Sequence, residues 1–274
     1  MKILNGKELA GFIKERQARQ IGSYVSGGSS GEVHRAPKLL IIRDSDNPVI
    51  LKYVGLKIRY GEDIGVIVED YKAESSEDIK NKILAANDSS EIDGMILQLP
   101  IMEKTRTDEL TSLIAPEKDV DGLSGKGKFD SATATAIMWL LAGYDIDLRG
   151  RRVALVGRGK LVGAPLFKML SNSGVEVEMF HSGSDLTKLK DFDIIITATG
   201  KPGLILDAYV SSGAVVVDAG TASENGVIKG DVADLVRERK DLTAITPVIG
   251  GVGPLTITCL FEHLLGAFFE KEKA

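Results

Sequence analysis

The chain has 274 residues, 43% of them hydrophobic and 27% charged; that composition supports a sizeable core, and the length exceeds one domain of roughly 100–200 residues. A net charge of −5, from 34 basic and 39 acidic side chains with no Lys/Arg-rich block, argues against a nucleic-acid or anionic-membrane surface. Aromatic residues at 5% leave few platforms for base stacking, Cys259 is the lone cysteine, and His34, His181 and His263 lie far apart, so neither an internal disulfide nor a metal site is expected.

The opening residues, Met1 to Gly6, break too early for a secretory signal. No uninterrupted apolar run reaches the roughly 20 residues of a membrane helix, and the chain reads as cytoplasmic. From Gly6 to Tyr24, apolar Leu9, Phe12, Ile13 and Ile21 recur at helical spacing. The Gly27–Gly31 cluster is a loop, and Lys38–Ile42 has the length of a buried strand. Asn47-Pro48 opens a helix, with Asn at the N-cap and Pro at the first helical position, and that helix carries Tyr53 and Lys57. A strand at Ile64–Val68, a helix around Ser76–Ala86 and a strand at Gly94–Leu99 follow. Strands alternating with helices at this spacing indicate βαβ units and a mostly parallel sheet.

After Pro116 the character changes: Glu117 to Asp130 is polar and glycine-rich, and Ala132–Ala142 is helical. The alternation then restarts with a strand at Arg152–Val156, a helix near Ala164–Ser173 and a strand at Val175–Met179. Further strands are expected at Asp193–Thr197, Ala214–Asp218 and Leu242–Ile245, and an apolar helix at Leu255–Glu270.

The first chemical signal is Val153 to Pro165, a buried strand running into a turn with Gly157, Gly159 and Gly163 that opens a helix. Glycines there permit tight turning and close backbone approach, while the helix N-terminus offers free N–H groups to phosphate. The G-x-G-x-x-x-G spacing is one residue longer than the standard dinucleotide fingerprint. Arg158 lies inside the turn, and His181-Ser182 follows the next strand, where an NAD enzyme would carry a ribose-binding acid. A cation and a hydroxyl suit a ribose 2′-phosphate, which favours NADP. The bland alternative makes Arg158 a solvated turn residue and His181 a surface residue.

On these residues the chain resembles the bifunctional methylenetetrahydrofolate dehydrogenase/methenyltetrahydrofolate cyclohydrolase family. The segments that carry the resemblance occur in order along nearly the whole chain. They include Tyr53-Val54-x-x-Lys57, Gly94 to Pro100, Pro116 to Gly122, the glycine turn, Thr197 to Gly203, Gly213 to Asp218, Gly230-Asp231-Val232 and Thr246 to Thr256. The resemblance implies an α/β protein of two domains. A folate-binding catalytic domain would span residues 1–137 with a returning C-terminal helix, 254–274; a Rossmann-type NADP-binding domain with a parallel sheet would span 138–253. It also implies tetrahydrofolate derivatives as substrates and a homodimer.

Tyr53 and Lys57 are four apart on a helix and face the same way. By resemblance Lys57 is the residue essential to the chemistry, with Tyr53 and Gln98 beside it as catalytic and substrate-binding groups. A lysine in a partly dry site near a developing iminium would have its pKa lowered and could move a proton or position a water. Gln98 ends a parallel strand, where ligands collect in α/β sheets. Asp121 would bind the pterin's amino group and ring N–H through paired charge-assisted hydrogen bonds, with Asp119 a turn residue. Thr199 and Thr221 complete the cofactor set of Gly157, Arg158, Gly159, Gly163, His181 and Ser182.

The chain departs from the family at Ser131-Ala132-Thr133-Ala134, where relatives carry Pro-Cys-Thr-Pro, at Ile50, where they carry Ser, and at Ile249, where they usually carry a second proline. Two other readings stand beside the folate enzyme: another two-domain NADP oxidoreductase of shikimate or amino-acid dehydrogenase type, and a non-catalytic NADP-binding module.

Overall fold

A computed structural model describes residues 1–28, 33–224 and 227–273. The chain divides into two compact units. The first comprises Gly11–Ala132 and Ile257–Ala274; the second comprises Met1–Ala10 and Thr133–Thr256.

In chain order the structure runs β1 (Lys2–Ile3), α1 (Gly6–Val25), β2 (Lys38–Arg43), α2 (Pro48–Ile64), β3 (Ile67–Lys72), α3 (Ser76–Asp88), β4 (Gly94–Leu97) and α4 (Thr107–Ser112). It continues through α5 (Ala132–Gly143), β5 (Arg152–Val156), α6 (Gly163–Asn172), β6 (Glu176–Phe180), β7 (Ile194–Thr197) and β8 (Val215–Asp218). Last come β9 (Ala222–Glu224), β10 (Val227–Lys229), α7 (Asp234–Glu238), β11 (Ala244–Ile245) and α8 (Val252–Lys271).

The first unit is built on a three-stranded parallel sheet in the order β3-β2-β4. Leu40 and Ile42 of β2 and Met95 and Leu97 of β4 are buried with Ile79 and Ile83 of α3 in one apolar cluster. Helix α2 starts as its sequence dictates: the Asn47 side-chain oxygen accepts from the Val49 N–H at 2.9 Å, and Pro48 occupies the first turn. Its far end corrects the strand expected at Ile64–Val68. Ile64 is still helical, Gly65 takes φ +83° as a left-handed cap, and β3 begins at Ile67. The residues Ile64, Val66 and Val68 alternate like a strand, but the glycine stops the helix later than that pattern suggests. The loop expected at Gly27–Gly31 is a turn at Gly27 and Gly28; Ser29 to Gly31 lie outside the described residues.

Helix α8 is long and apolar enough to cross a membrane by length and composition. Thr256, Thr258, Glu262 and His263 interrupt its apolar run in sequence, and its large side chains are inside the protein. Leu260, Phe261, Leu264 and Phe268 are at most 1% exposed, Phe261 stacks on Tyr60, and Phe268 meets the edge of Tyr24.

The second unit carries a six-stranded parallel sheet in the order β1-β11-β8-β7-β5-β6. Val153 to Val156, Ile194 to Ile196 and Val215 to Val217 are all at most 2% exposed, as a parallel sheet covered on both faces requires. The order reverses at β5, flanked by β6 and β7, which creates a crevice at the carboxyl ends of these strands. The first ten residues, expected in the first domain, instead belong here because Lys2 and Ile3 pair with Ala244 and Ile245. Strands of two or three residues, such as β1 and the antiparallel pair β9 and β10, carry no periodic signal in sequence.

Candidate active site

In the first unit, α2 places Tyr53 and Lys57 on one face, and Gln98 sits immediately after β4. The Lys57 Nζ donates to Gln98 Oε1 at 2.7 Å, while the Gln98 amide NH₂ donates to the Leu99 carbonyl at 3.1 Å. The second bond settles which end of the amide faces the lysine. The Tyr53 hydroxyl is left without a hydrogen-bond partner among the described residues.

Lys57 and Asp121 act on each other electrostatically. Burial pushes the Lys57 pKa below that of an ordinary lysine, and the Asp121 carboxylate partly restores it. Burial pushes the Asp121 carboxyl up to about 6, against the pull of Lys57 and with a further push from Asp119. The pair is therefore two groups whose ordinary pKa values have moved toward each other, as expected for opposite charges in a poorly solvated site.

The loop that presents Asp121 is anchored at several points. Lys118 is buried and caps the C-terminal end of α3, donating to the carbonyls of Ala86, Asn87 and Ser89 at 2.7, 2.8 and 2.6 Å. Asp119, fully buried, accepts from the N–H groups of Gly122, Leu123 and Ser124, which makes it the turn residue it was expected to be. His263, from α8, hydrogen-bonds the Val120 carbonyl through Nδ1 at 2.9 Å and stacks on Phe129. Lys118 and His263 are supports that sequence reasoning missed; neither residue type signals its partner in a linear reading.

In the second unit, the loops after β5, β6 and β7 line one pocket of about 470 Å³. Gly157, Arg158, Gly159, His181, Ser182 and Thr199 all lie on its wall, joined by Lys201, which the sequence had not singled out. Gly163 stands behind them at the start of α6: a Cβ there would meet the Gly157 carbonyl oxygen at 1.9 Å. Gly157 has φ +110°, and its own Cβ would meet the Ala198 oxygen at 2.6 Å. Both positions therefore demand glycine, and the close backbone packing leaves room for a dinucleotide along the turn. Arg158 is exposed and has no ion-pair partner among the described residues, as a phosphate-seeking cation should be. Thr221 is exposed and is not part of the pocket lining.

Residues 4–121 match the catalytic domain of the tetrahydrofolate dehydrogenase/cyclohydrolase family, and residues 131–272 match its NAD(P)-binding domain. The chain belongs to that family. A curated relative, the bifunctional protein FolD of Staphylococcus carnosus, is 37% identical over 280 residues, covering 96% of this chain and 95% of the relative. Among solved structures, the bifunctional FolD of Campylobacter jejuni superposes with a TM-score of 0.88 at 31% identity, covering 99% of each chain. The Trypanosoma brucei methylenetetrahydrofolate dehydrogenase-cyclohydrolase, solved with NADP cofactor and an inhibitor, gives 0.89 at 28% identity, covering 99% of this chain and 98% of that one.

Family membership makes the chain an enzyme of the dehydrogenase/cyclohydrolase class and accounts for its two α/β domains with parallel sheets. The positions at which the sequence is expected to depart from the family pattern fall at defined places. Ile50 is 5% exposed on α2, so its apolar side chain is buried there. Ser131, Ala132 and Ala134 are buried at the start of α5, and Ile249 is 74% exposed.

Proposed function

We propose that this protein oxidises methylenetetrahydrofolate to methenyltetrahydrofolate with NADP and hydrolyses the product to formyltetrahydrofolate. The observation that carries the reading is the Lys57–Gln98 hydrogen bond in a site where Asp121 tunes the lysine. Family membership and the glycine-lined pocket of the second unit support it.

Bound along the Gly157–Gly163 turn, with Arg158, His181, Ser182 and Thr199 around it and Arg158 and Ser182 toward the 2′-phosphate, NADP would supply the hydride acceptor. The chain's own residues do the rest. Asp121, ionised at neutral pH, accepts paired hydrogen bonds from the pterin amino group and ring N–H. Tyr53 offers a ring and an uncommitted hydroxyl one turn from Lys57. Loss of hydride from the methylene carbon leaves a cation near Lys57, whose pKa burial already lowers and which the developing like charge would lower further. In the hydrolytic step water adds to the methenyl carbon, one C–N bond breaks, the departing nitrogen takes up a proton and one proton is released. Lys57 is the group placed to move those protons, and Gln98 aims it without adding a fixed charge.

Incubation with methylenetetrahydrofolate and NADP tests the reading: methenyl absorbance should rise and then decay as formyl product forms. Failure to form methenyl product would remove the dehydrogenase, and stable methenyl product would remove the hydrolase. Neither a shikimate-type oxidoreductase nor a non-catalytic module would act on this substrate. The reading is completed by a cytoplasmic homodimer, which rests on the resemblance and on the chain's composition; with a net charge of −5, no nucleic-acid or membrane role enters it.

A further inference from the structure

Asp231 is fully buried in the second unit, between β10 and α7. It belongs to the Gly230-Asp231-Val232 motif, to which the reaction as described assigns no part. One carboxylate oxygen accepts from the Thr197 hydroxyl and from the Thr199 N–H, both at 2.7 Å; the other accepts from the Lys201 N–H at 2.8 Å. All three donors are neutral, and Thr199 and Lys201 line the pocket. The backbone around Asp231 is tied to the same segment, since the Ile205 N–H donates to its carbonyl at 2.9 Å and the Gly203 N–H to the Gly230 carbonyl at 3.2 Å. From below, the Asp231 N–H donates to the Asp218 carboxylate at 3.1 Å. The fit is tight: a Cβ at Gly220 would lie 2.1 Å from the Asp231 carboxyl carbon.

A strand-to-loop segment at a ligand crevice has backbone N–H groups that no ladder satisfies, and it adopts one shape only if something else satisfies them. Asp231 satisfies two of them with one side chain, using charge-assisted bonds roughly twice as strong as neutral ones. We propose that Asp231 is a positioning residue for the dinucleotide, its buried carboxylate holding the Thr199–Lys201 turn in the shape that receives the cofactor. This rests on the functional reading above for the identity of the dinucleotide, NADP.

The two reactions of one chain separate this role from general support of the fold, because hydrolysis of methenyltetrahydrofolate consumes no dinucleotide. Asp231→Asn keeps the volume but replaces one acceptor oxygen by a donor NH₂, which then faces a backbone N–H. Full-length Asp231→Asn should bind NADP roughly 10- to 100-fold more weakly on direct titration, with methenyl hydrolysis within about twofold of wild type. Unchanged NADP affinity would overturn the proposal. If Asp231→Asn lost both reactions together, Thr197→Val would decide, since it removes one donor and keeps the charge. A loss of about threefold to tenfold in NADP affinity supports the assignment, and wild-type affinity overturns it. A wild-type chain that bound NADP yet left methylenetetrahydrofolate unchanged would sink the functional reading alone, because the titrations would still read Asp231.

Discussion

Lys57 and Asp121 stand in one site with their titrations coupled, the carboxylate holding the lysine's pKa up and the lysine holding the carboxyl's down. Neither residue can be altered without moving the other, and this makes the site open to test by pH as well as by mutation.

Replacing Lys57 with Met removes the proton-moving group and keeps most of its length. Hydrolysis of methenyltetrahydrofolate should fall by roughly 10²–10⁴-fold, while NADP binding stays near normal and some dehydrogenase activity survives, so that the methenyl intermediate accumulates. The decay of methenyl absorbance measures this directly. Hydrolysis at close to the wild-type rate would rule Lys57 out as the catalytic group. In the same variant Asp121 loses the cation that lowers its pKa and should titrate above its present value of about 6.

The reciprocal change is Asp121→Asn. Removing the carboxylate removes the influence that raises the Lys57 pKa, so the Lys57 titration should move to still lower pH. In the pH profile of the residual hydrolase, the limb that reports Lys57 should shift toward acid. An alkaline shift would mean the two groups do not act on each other as described.

Asp121→Ala separates binding from proton transfer. Folate analogues should bind more weakly by roughly 10-fold or more, the worth of a lost charge-assisted pair, while NADP affinity stays within about twofold. Calorimetric titration with each ligand reads both halves. Unchanged folate affinity would move the pterin site elsewhere.

Arg158→Ala bears on cofactor choice. Arg158 is exposed and has no ion-pair partner among the described residues, so its loss should leave the fold alone and raise the Michaelis constant for NADP far more than for NAD. A phosphate contact of this kind is worth roughly 1.5–3 kcal/mol, on the order of 10- to 100-fold. Equal effects on the two cofactors would refute a 2′-phosphate role.

Gly163→Ala places a methyl group against the Gly157 carbonyl, a backbone atom that cannot swing aside. Overpacking of this sort costs about 1–3 kcal/mol, and the turn must open to relieve it. Lower NADP affinity and a lower melting temperature should appear together, and loss of neither would mean that the turn is more yielding than its packing implies.

What the sequence discloses follows from how local each signal is. Helix α2 is legible because Asn47 and Pro48 announce it, and β5, β7 and β8 are legible as short apolar runs. The end of α2 is not, because Ile64, its last residue, also starts a strand-like alternation with Val66 and Val68. The site is legible as residue types on recognised segments, but its contacts are not. Gln98 is 41 positions from Lys57, and Asp231 is 30 to 34 positions from its three donors. A lone aspartate after a glycine reads as a loop residue until the fold closes around it.

The division of the chain has a consequence for how the protein is made. The second unit needs Lys2 and Ile3 beside β11, and the first needs the residues from Ile257 onward. During synthesis the earliest strand must wait, unpaired, for a partner about 240 residues later, and the first unit waits for the last helix to emerge. Neither unit is a continuous stretch that could fold behind the ribosome while the other is still being translated, so neither closes until its late segment has emerged.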